Sequence, residues 1–183
     1  MAPATVPEAE RPAEAPWLTP ACQARAALLL ASHQLAFGRP LLALVAGPTQ
    51  LAAAGDARHQ AQELFAAPLV VLAHDDGLAG GTTAPADPRL IYANAAALRL
   101  WRRPWAAMVG LPSRLTAEPS EREGRERLLA LARHRQAISG YRGVRIDSRG
   151  RRFVIDGARL WTLRDADGRD HGQAAAFSHW WWL

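Results

Sequence analysis

The sequence predicts an α+β layered domain: a five-stranded antiparallel sheet with helices crossing one face, preceded by an N-terminal helical segment. Three observations predict it. In "DPRLIYANAAALRLW" a strand-like run breaks into a helical pattern at Asn94. From Gly140 onward the apolar period changes from helical to alternating. Two turn signals, Ser148-Arg149-Gly150 and Asp165-Ala166-Asp167-Gly168, divide that alternating region into three strands joined by short turns.

The elements follow in order. Residues 1–18 are rich in Pro, Ala and Glu and read as a disordered leader without the basic start and apolar middle of a signal peptide. Residues 19–67 form the helical segment. Thr19-Pro20 has the pattern of an N-cap followed by proline at the first helical position, and Gly38 ends that helix. Leu28, Ala31 and Leu35 mark one of its faces. Asp56 caps a second helix, 57–66, with Ala61, Leu64 and Phe65 inward and Pro68 beyond its end. Residues 68–183 form the sheet domain. "LVVLA" at 69–73 is a buried strand, and residues 74–88 are a loop by composition, His74-Asp75-Asp76 being solvated. A second strand, 89–93, meets Asn94, whose side-chain oxygen can accept from an amide of the next helical turn. Helix then runs over 95–102, stops at Arg103-Pro104, and resumes for a turn or two before Gly110. Residues 111–119 connect to a longer helix, 120–136, opened by the capping-box spacing Ser120-x-x-Glu123. The meander strands are 141–147, 151–163 and 172–180.

Composition bounds the function. The 183 residues are about half apolar, enough for one sizeable core. Cys22 stands alone, so no internal disulfide forms, and a reduced cytoplasmic setting is expected. No apolar run is long enough for a membrane span. All 22 basic residues are arginine, and residues 99–183 hold 17 of them against 9 acids. Arginines spread over strands and a helix read first as a solvated face. Nucleic-acid binding, which would want exposed aromatics interleaved with them, is not expected.

The strand-Asn-helix corner in "IYANAAALRLW" resembles the passage from the second strand into the small helices of a PAS domain. The match is closer to a PAS-related family, the MEKHLA domain. It is carried by "DPRLIYANAAALRLW", "GLPSRLTAEPSEREGRERLLA", "YRGVRIDSRGRRFVID" and "LWTLRDADGRDHGQAAAFSHW", with the upstream helices similar to the free-standing bacterial form. The resemblance implies a regulatory or sensory module and no particular ligand. The chain departs from the family's plant members in having no homeodomain or zipper, and its "HWWWL" end has more tryptophan than the family pattern.

A PAS-like pocket lies between the sheet and the crossing helices. The candidates to line it are Trp101, Trp105, Met108 and Leu111 from the helices, and Tyr141, Val144, Ile146, Phe153, Ile155, Trp161 and Phe177 from the strands. Alternation puts Val144 with Ile146 and Phe153 with Ile155; Tyr141 and Trp161 fit either face. Plain core packing is the competing role for all of them. The connector has no cysteine, which argues against flavin-cysteinyl photochemistry. Haem would need a histidine on the longer helix, where only His134 stands, flanked by Arg133 and Arg135. The six histidines show no metal-ligand spacing, so no metal is expected. An Arg114–carboxylate pair would staple the connector.

No nucleophile elbow, phosphate loop or dinucleotide fingerprint is present, so the chain is not expected to be an enzyme. Two main readings remain, with an enzyme of unknown reaction behind them. One is a sensor that binds a small molecule between sheet and helices and signals through association with a separate partner. The other is a ligand-free interaction module. Leu28, Ala31 and Leu35 together with Trp180, Trp181 and Trp182 offer a homodimer surface; alternatively the first helix covers those tryptophans. A cavity of several hundred Å³ would favour the first reading, and a dry packed core the second.

Overall fold

A computed structural model describes residues 15–42, 54–77, 87–118, 124 and 137–183. The helix expected at 120–136, apart from residue 124 and including its capping box and His134, and the centre of the loop at 74–88 lie outside the described residues.

The first helix, α1 (Pro20–Phe37), has the boundaries its caps dictate. The Thr19 hydroxyl accepts from the Cys22 amide, and Gly38 closes the end in the left-handed region at φ 67°. After α2 (Ala54–Ala66) come strands β1 (Val70–His74) and β2 (Leu90–Ala93), then helices α3 (Ala95–Trp101) and α4 (Trp105–Met108). The meander follows as β3 (Ala137–Ile146), β4 (Arg152–Arg164) and β5 (Asp170–Phe177), with a short β6 (His179–Trp182) at the end. Pro16–Leu18, expected to belong to a disordered leader, instead form a 3-10 turn, because Trp17 stacks flat on Phe65 with ring centroids 3.7 Å apart.

The strands form one antiparallel sheet in the order β2-β1-β5-β4-β3. The sixth strand continues β5 along β4 in a single register. Phe153 lies opposite Trp182 and Asp156 opposite His179; beyond the break at Ser178, Arg159 lies opposite Ala176 and Thr162 opposite Gln173. At the same level of β4, Gly157 takes φ 66°. This adds a residue to the alternation, so Phe153, Ile155, Ala158 and Leu160 share one face while Trp161 and Leu163 take the other.

Helices cover both faces. On the inner face α3 and α4 bring Ala97, Leu100, Trp101 and Met108 onto Val70, Leu72, Phe153 and Phe177. On the outer face α1 and α2 bring Ala26, Leu29, Ala61 and Leu64 onto Val71, Tyr92, Trp161 and Leu163. Each large apolar side chain buried this way contributes roughly 1.5–3 kcal/mol relative to exposure.

The packing face of α1 is Cys22, Ala26, Leu29, Ser32 and His33. Of the Leu28/Ala31/Leu35 stripe, Ala31 and Leu35 point away from the sheet, Leu35 being 73% exposed, while Leu28 is half-buried against the outer-face core. Two polar contacts fix the helix in place. The Trp161 indole donates to the Ser32 hydroxyl at 3.0 Å. Arg159 donates to His33 Nε2 at 2.8 Å, which leaves the imidazole proton on Nδ1, 3.1 Å from the Arg39 carbonyl that accepts it. The helix lies over the C-terminal half of β4; the tryptophans of β6 flank its N-terminal half and are not covered by it.

Candidate functional site

Asn94 builds the corner on which the site depends. It is fully buried, and its side chain makes five hydrogen bonds. Oδ1 accepts from Ala97 N at 3.1 Å, the N-cap of α3, and from Val71 N at 3.0 Å. Nδ2 donates to the carbonyls of Leu64, Ala67 and Leu69 at 3.4, 3.2 and 2.7 Å. One amide thus ties the end of α2, the start of β1 and the first turn of α3 together. That holds α3 across the inner face and carries Trp101 into the core.

Beside Trp101, at the end of α3, the inner face holds a partly open cavity of about 50 Å³. Its apolar wall includes Leu72, Leu90, Ile155, Leu160 and Phe177, with Trp101 across from them. Its polar wall is Thr116, Tyr141, Arg145, His74 and Gln173. β3 supplies Tyr141 and Arg145, β1 His74 and β5 Gln173. On β3, Tyr141 is opposite Ala158, Gly143 opposite Ile155 and Arg145 opposite Phe153, so Tyr141, Gly143 and Arg145 face inward. The Tyr141 ring lies over Gly143, where a Cβ would stand 2.3 Å from the phenol oxygen. The hydroxyl therefore reaches Arg145 and accepts from Nη2 at 2.6 Å. Nη1 donates to the Val144 carbonyl at 2.7 Å. Arg145 is only 6% exposed, and among the described residues no carboxylate pairs with it. Trp101 adds a second donor, a buried indole N–H with no acceptor among the described residues.

Of the expected lining residues, Trp101, Tyr141, Ile155 and Phe177 meet around this cavity. Met108 and Phe153 belong to the same core, and Leu111 packs at its edge, but none of the three walls the cavity. Four expectations are corrected. Val144 and Ile146 lie on the outer face, opposite Val154 and Arg152, because irregularities at Ile138/Tyr141 and Tyr141/Gly143 set the register of β3. Trp161 is also on the outer face, since Gly157 shifts the alternation of β4. Trp105 joins an aromatic group with Trp17, Phe65 and Tyr92, at centroid distances of 6.3, 6.1 and 5.8 Å. Sequence reasoning missed Arg145 and Gln173 as wall residues and placed His74 in a solvated loop; His74 is buried and closes β1 at the cavity. The signal for Arg145 was its place in the alternation Tyr141, Gly143, Arg145 at two-residue steps on one strand.

Elsewhere, Arg114 pairs with Asp87, stapling the connector to the loop before β2. Asp147 is buried in the β3–β4 turn, accepts from the Arg149 and Arg151 amides at 2.8 Å each, and faces Arg102 Nε at 3.2 Å. His171 meets Asp165 at 2.7 Å in the β4–β5 turn. Cys22 sits on the buried side of α1, across the sheet from the cavity. Among the described residues no group of three His, Cys, Asp or Glu side chains is placed to hold a metal ion. No helix among them is long and apolar enough to cross a membrane.

Trp180 and Trp182 pack edge-on against Phe153, at centroid distances of 6.3 and 5.5 Å, while Trp181 faces the other way beneath Arg142 at 5.1 Å. Trp180 and Trp181 remain 38% and 40% exposed, and Leu183 beside them 61%.

A sheet ordered 2-1-5-4-3, with short helices crossing one face above a small cavity, is the architecture of PAS and light-oxygen-voltage domains. The PAS domain of a protein from Colwellia psychrerythraea superposes with a TM-score of 0.54 at 12% identity, over 65% of this chain and 92% of that one. An RNA-binding light-oxygen-voltage receptor gives 0.54 at 20% identity, over 74% of this chain but only 36% of the receptor. A light-oxygen-voltage domain gives 0.51 at 15% identity, over 68% and 84% of the two chains. These likenesses establish the fold. A search of curated proteins finds no match. The chain belongs to the MEKHLA domain family, whose model matches residues 23–182 and so takes in most of α1 as well as the sheet.

Proposed function

We propose that this protein is a sensory module that binds a small molecule in the cavity beside Trp101 and reports its occupancy through association with a separate protein. The observation that carries this reading is the inward-facing Arg145. Arg145 is buried with no carboxylate beside it among the described residues, and a cation is costly to bury that way for packing alone. The PAS-like fold gives a sensory role its general support. The cavity is far smaller than the several hundred Å³ of a drug-sized site, so the reading is of a ligand of a few heavy atoms rather than a ring cofactor. The role is non-enzymatic and the setting cytoplasmic.

Native mass spectrometry of the purified protein, set against its denatured mass, tests this. Retention of a small molecule at unit stoichiometry supports it. A bare chain whose stability responds to no small molecule contradicts it.

A second reading is favoured by the exposed Trp180, Trp181 and Leu183. There the module acts by contact alone, with the tryptophans and the Leu28/Ala31/Leu35 stripe, exposed at Ala31 and Leu35, as homodimer or partner surfaces. Protein is the partner in this reading rather than nucleic acid. Arg142 and Arg151 lie over Trp181 and Trp182 at 5.1 and 4.2 Å, so these aromatic faces are already engaged within the chain.

A further inference from the structure

We infer that the cavity's ligand is a short monocarboxylate of acetate to propionate size; this rests on the ligand-binding reading above and specifies its chemistry. The polar wall is rich in donors. A guanidinium carries five N–H groups, and Arg145 gives two of its nitrogens to Val144 O and the Tyr141 hydroxyl. The remaining donors have no carboxylate to meet among the described residues. Four other arginines of the described chain, Arg102, Arg114, Arg152 and Arg164, each face one. Tyr141 accepts from Arg145 and so keeps its own hydroxyl proton to give. Trp101 supplies a buried N–H with no acceptor among the described residues. A planar acceptor-only group with two oxygens fits this array, and a carboxylate is the smallest organic group of that kind.

Size and polarity fix the rest of the molecule. One water needs about 10–15 Å³ of such space, so a cavity of about 50 Å³ takes about three to five heavy atoms. Beyond the polar wall the lining is Leu72, Leu90, Ile155, Leu160 and Phe177, which suits a methyl or ethyl tail and offers nothing to a second charge. An inorganic anion would satisfy Arg145 and leave that apolar end unfilled.

The test is thermal denaturation of the full chain in sodium propionate, acetate, chloride or phosphate at equal ionic strength. Propionate and acetate are expected to raise Tm by several degrees over chloride and phosphate. Arg145→Gln is expected to abolish that difference. Ala175→Leu, which fills the cavity from β5, is expected to abolish it too and covers the case in which the arginine variant does not fold. An undiminished carboxylate effect in either folded variant, or equal Tm in propionate and chloride for the parent chain, would overturn the inference. If a neutral molecule is retained in native mass spectrometry while propionate has no effect, the carboxylate assignment falls and ligand binding stands. If nothing is retained and no anion has an effect, both fall.

Discussion

Asn94 and Val71 exchange two hydrogen bonds: the Asn94 amide donates to the Val71 carbonyl at 3.0 Å, and the Val71 amide donates to Asn94 Oδ1 at 3.0 Å. A side chain here completes a pairing that a strand backbone would otherwise make. The first prediction follows. Asn94→Ala leaves two amides and three carbonyls without their partner, several of them buried, and is expected to cost at least about 3 kcal/mol. Urea unfolding should show a lower midpoint with an unchanged slope. A loss below about 1 kcal/mol would mean that water replaces the amide at the corner.

Gly172 tests the contact between β5 and the end of β1. It has φ 118°, and a Cβ there would stand 2.0 Å from the His74 carbonyl oxygen. Gly172→Ala is expected to destabilise by about 3 kcal/mol or more, since both the backbone strain and the clash oppose it. Gly168→Ala, at φ 79° with no atom within 4 Å, is expected to lose only about 1 kcal/mol. The two substitutions, compared in one denaturant series, separate steric closeness from backbone preference.

His33 gives the fold a pH dependence. Burial beneath α1, followed by the neighbouring Arg159 charge, lowers its pKa from 6.5 to about 4. Arg159, Arg39 and the Trp161 and Phe37 rings surround it. The folded state therefore resists protonation that the unfolded chain accepts. The stability tied to neutral His33 is complete above about pH 6.5 and is lost as pH falls toward 4. The loss should reach roughly 2–3 kcal/mol. Equilibrium unfolding between pH 7 and 4 measures it, and His33→Gln should flatten that part of the curve. An unchanged slope in the variant would assign the acid sensitivity to other groups.

Trp181 is the exposed aromatic with least to do in the core. Trp181→Ala is expected to change stability by about 1 kcal/mol or less. It should weaken self-association or partner binding, read by sedimentation velocity over a concentration series. If the parent chain is monomeric at high concentration and captures no partner that the variant loses, the surface is a capped sheet end and not an interface.

The sequence made the local features legible. Thr19, Gly38 and the capping bond of Asn94 to Ala97 act on neighbouring backbone groups, so these roles could be read without knowing what lay across the sheet, whereas the other Asn94 bonds, to Leu64, Ala67, Leu69 and Val71, could not. The faces of β3 and β4 could not be read this way. Val144 and Ile146 look like the core face of a strand, yet Tyr141, Gly143 and Arg145 face the cavity. The apolar pair instead packs beside Val154 on the outer face. Gly157 moved Trp161 across the sheet for a similar reason: one left-handed residue reverses every position after it. His74 was placed with its polar neighbours in a loop, although its backbone continues β1 to the level of Gln173. In α1 the alanine-rich sequence offers two comparable faces, and Ser32 and His33 were not read as packing residues because their partners, Trp161 and Arg159, are over a hundred residues away.

The central claim, a ligand-binding cavity on the inner face, is tested most directly by the tryptophan indole N–H resonances of ¹⁵N-labelled protein during a propionate titration. Trp101 walls the cavity with an N–H that has no acceptor among the described residues, and Trp161 lies across the sheet with its N–H held by Ser32. The account predicts a saturable downfield shift of the Trp101 resonance while Trp161 stays fixed. A Trp101 resonance that does not move, or movement confined to Trp180 and Trp181, would contradict it.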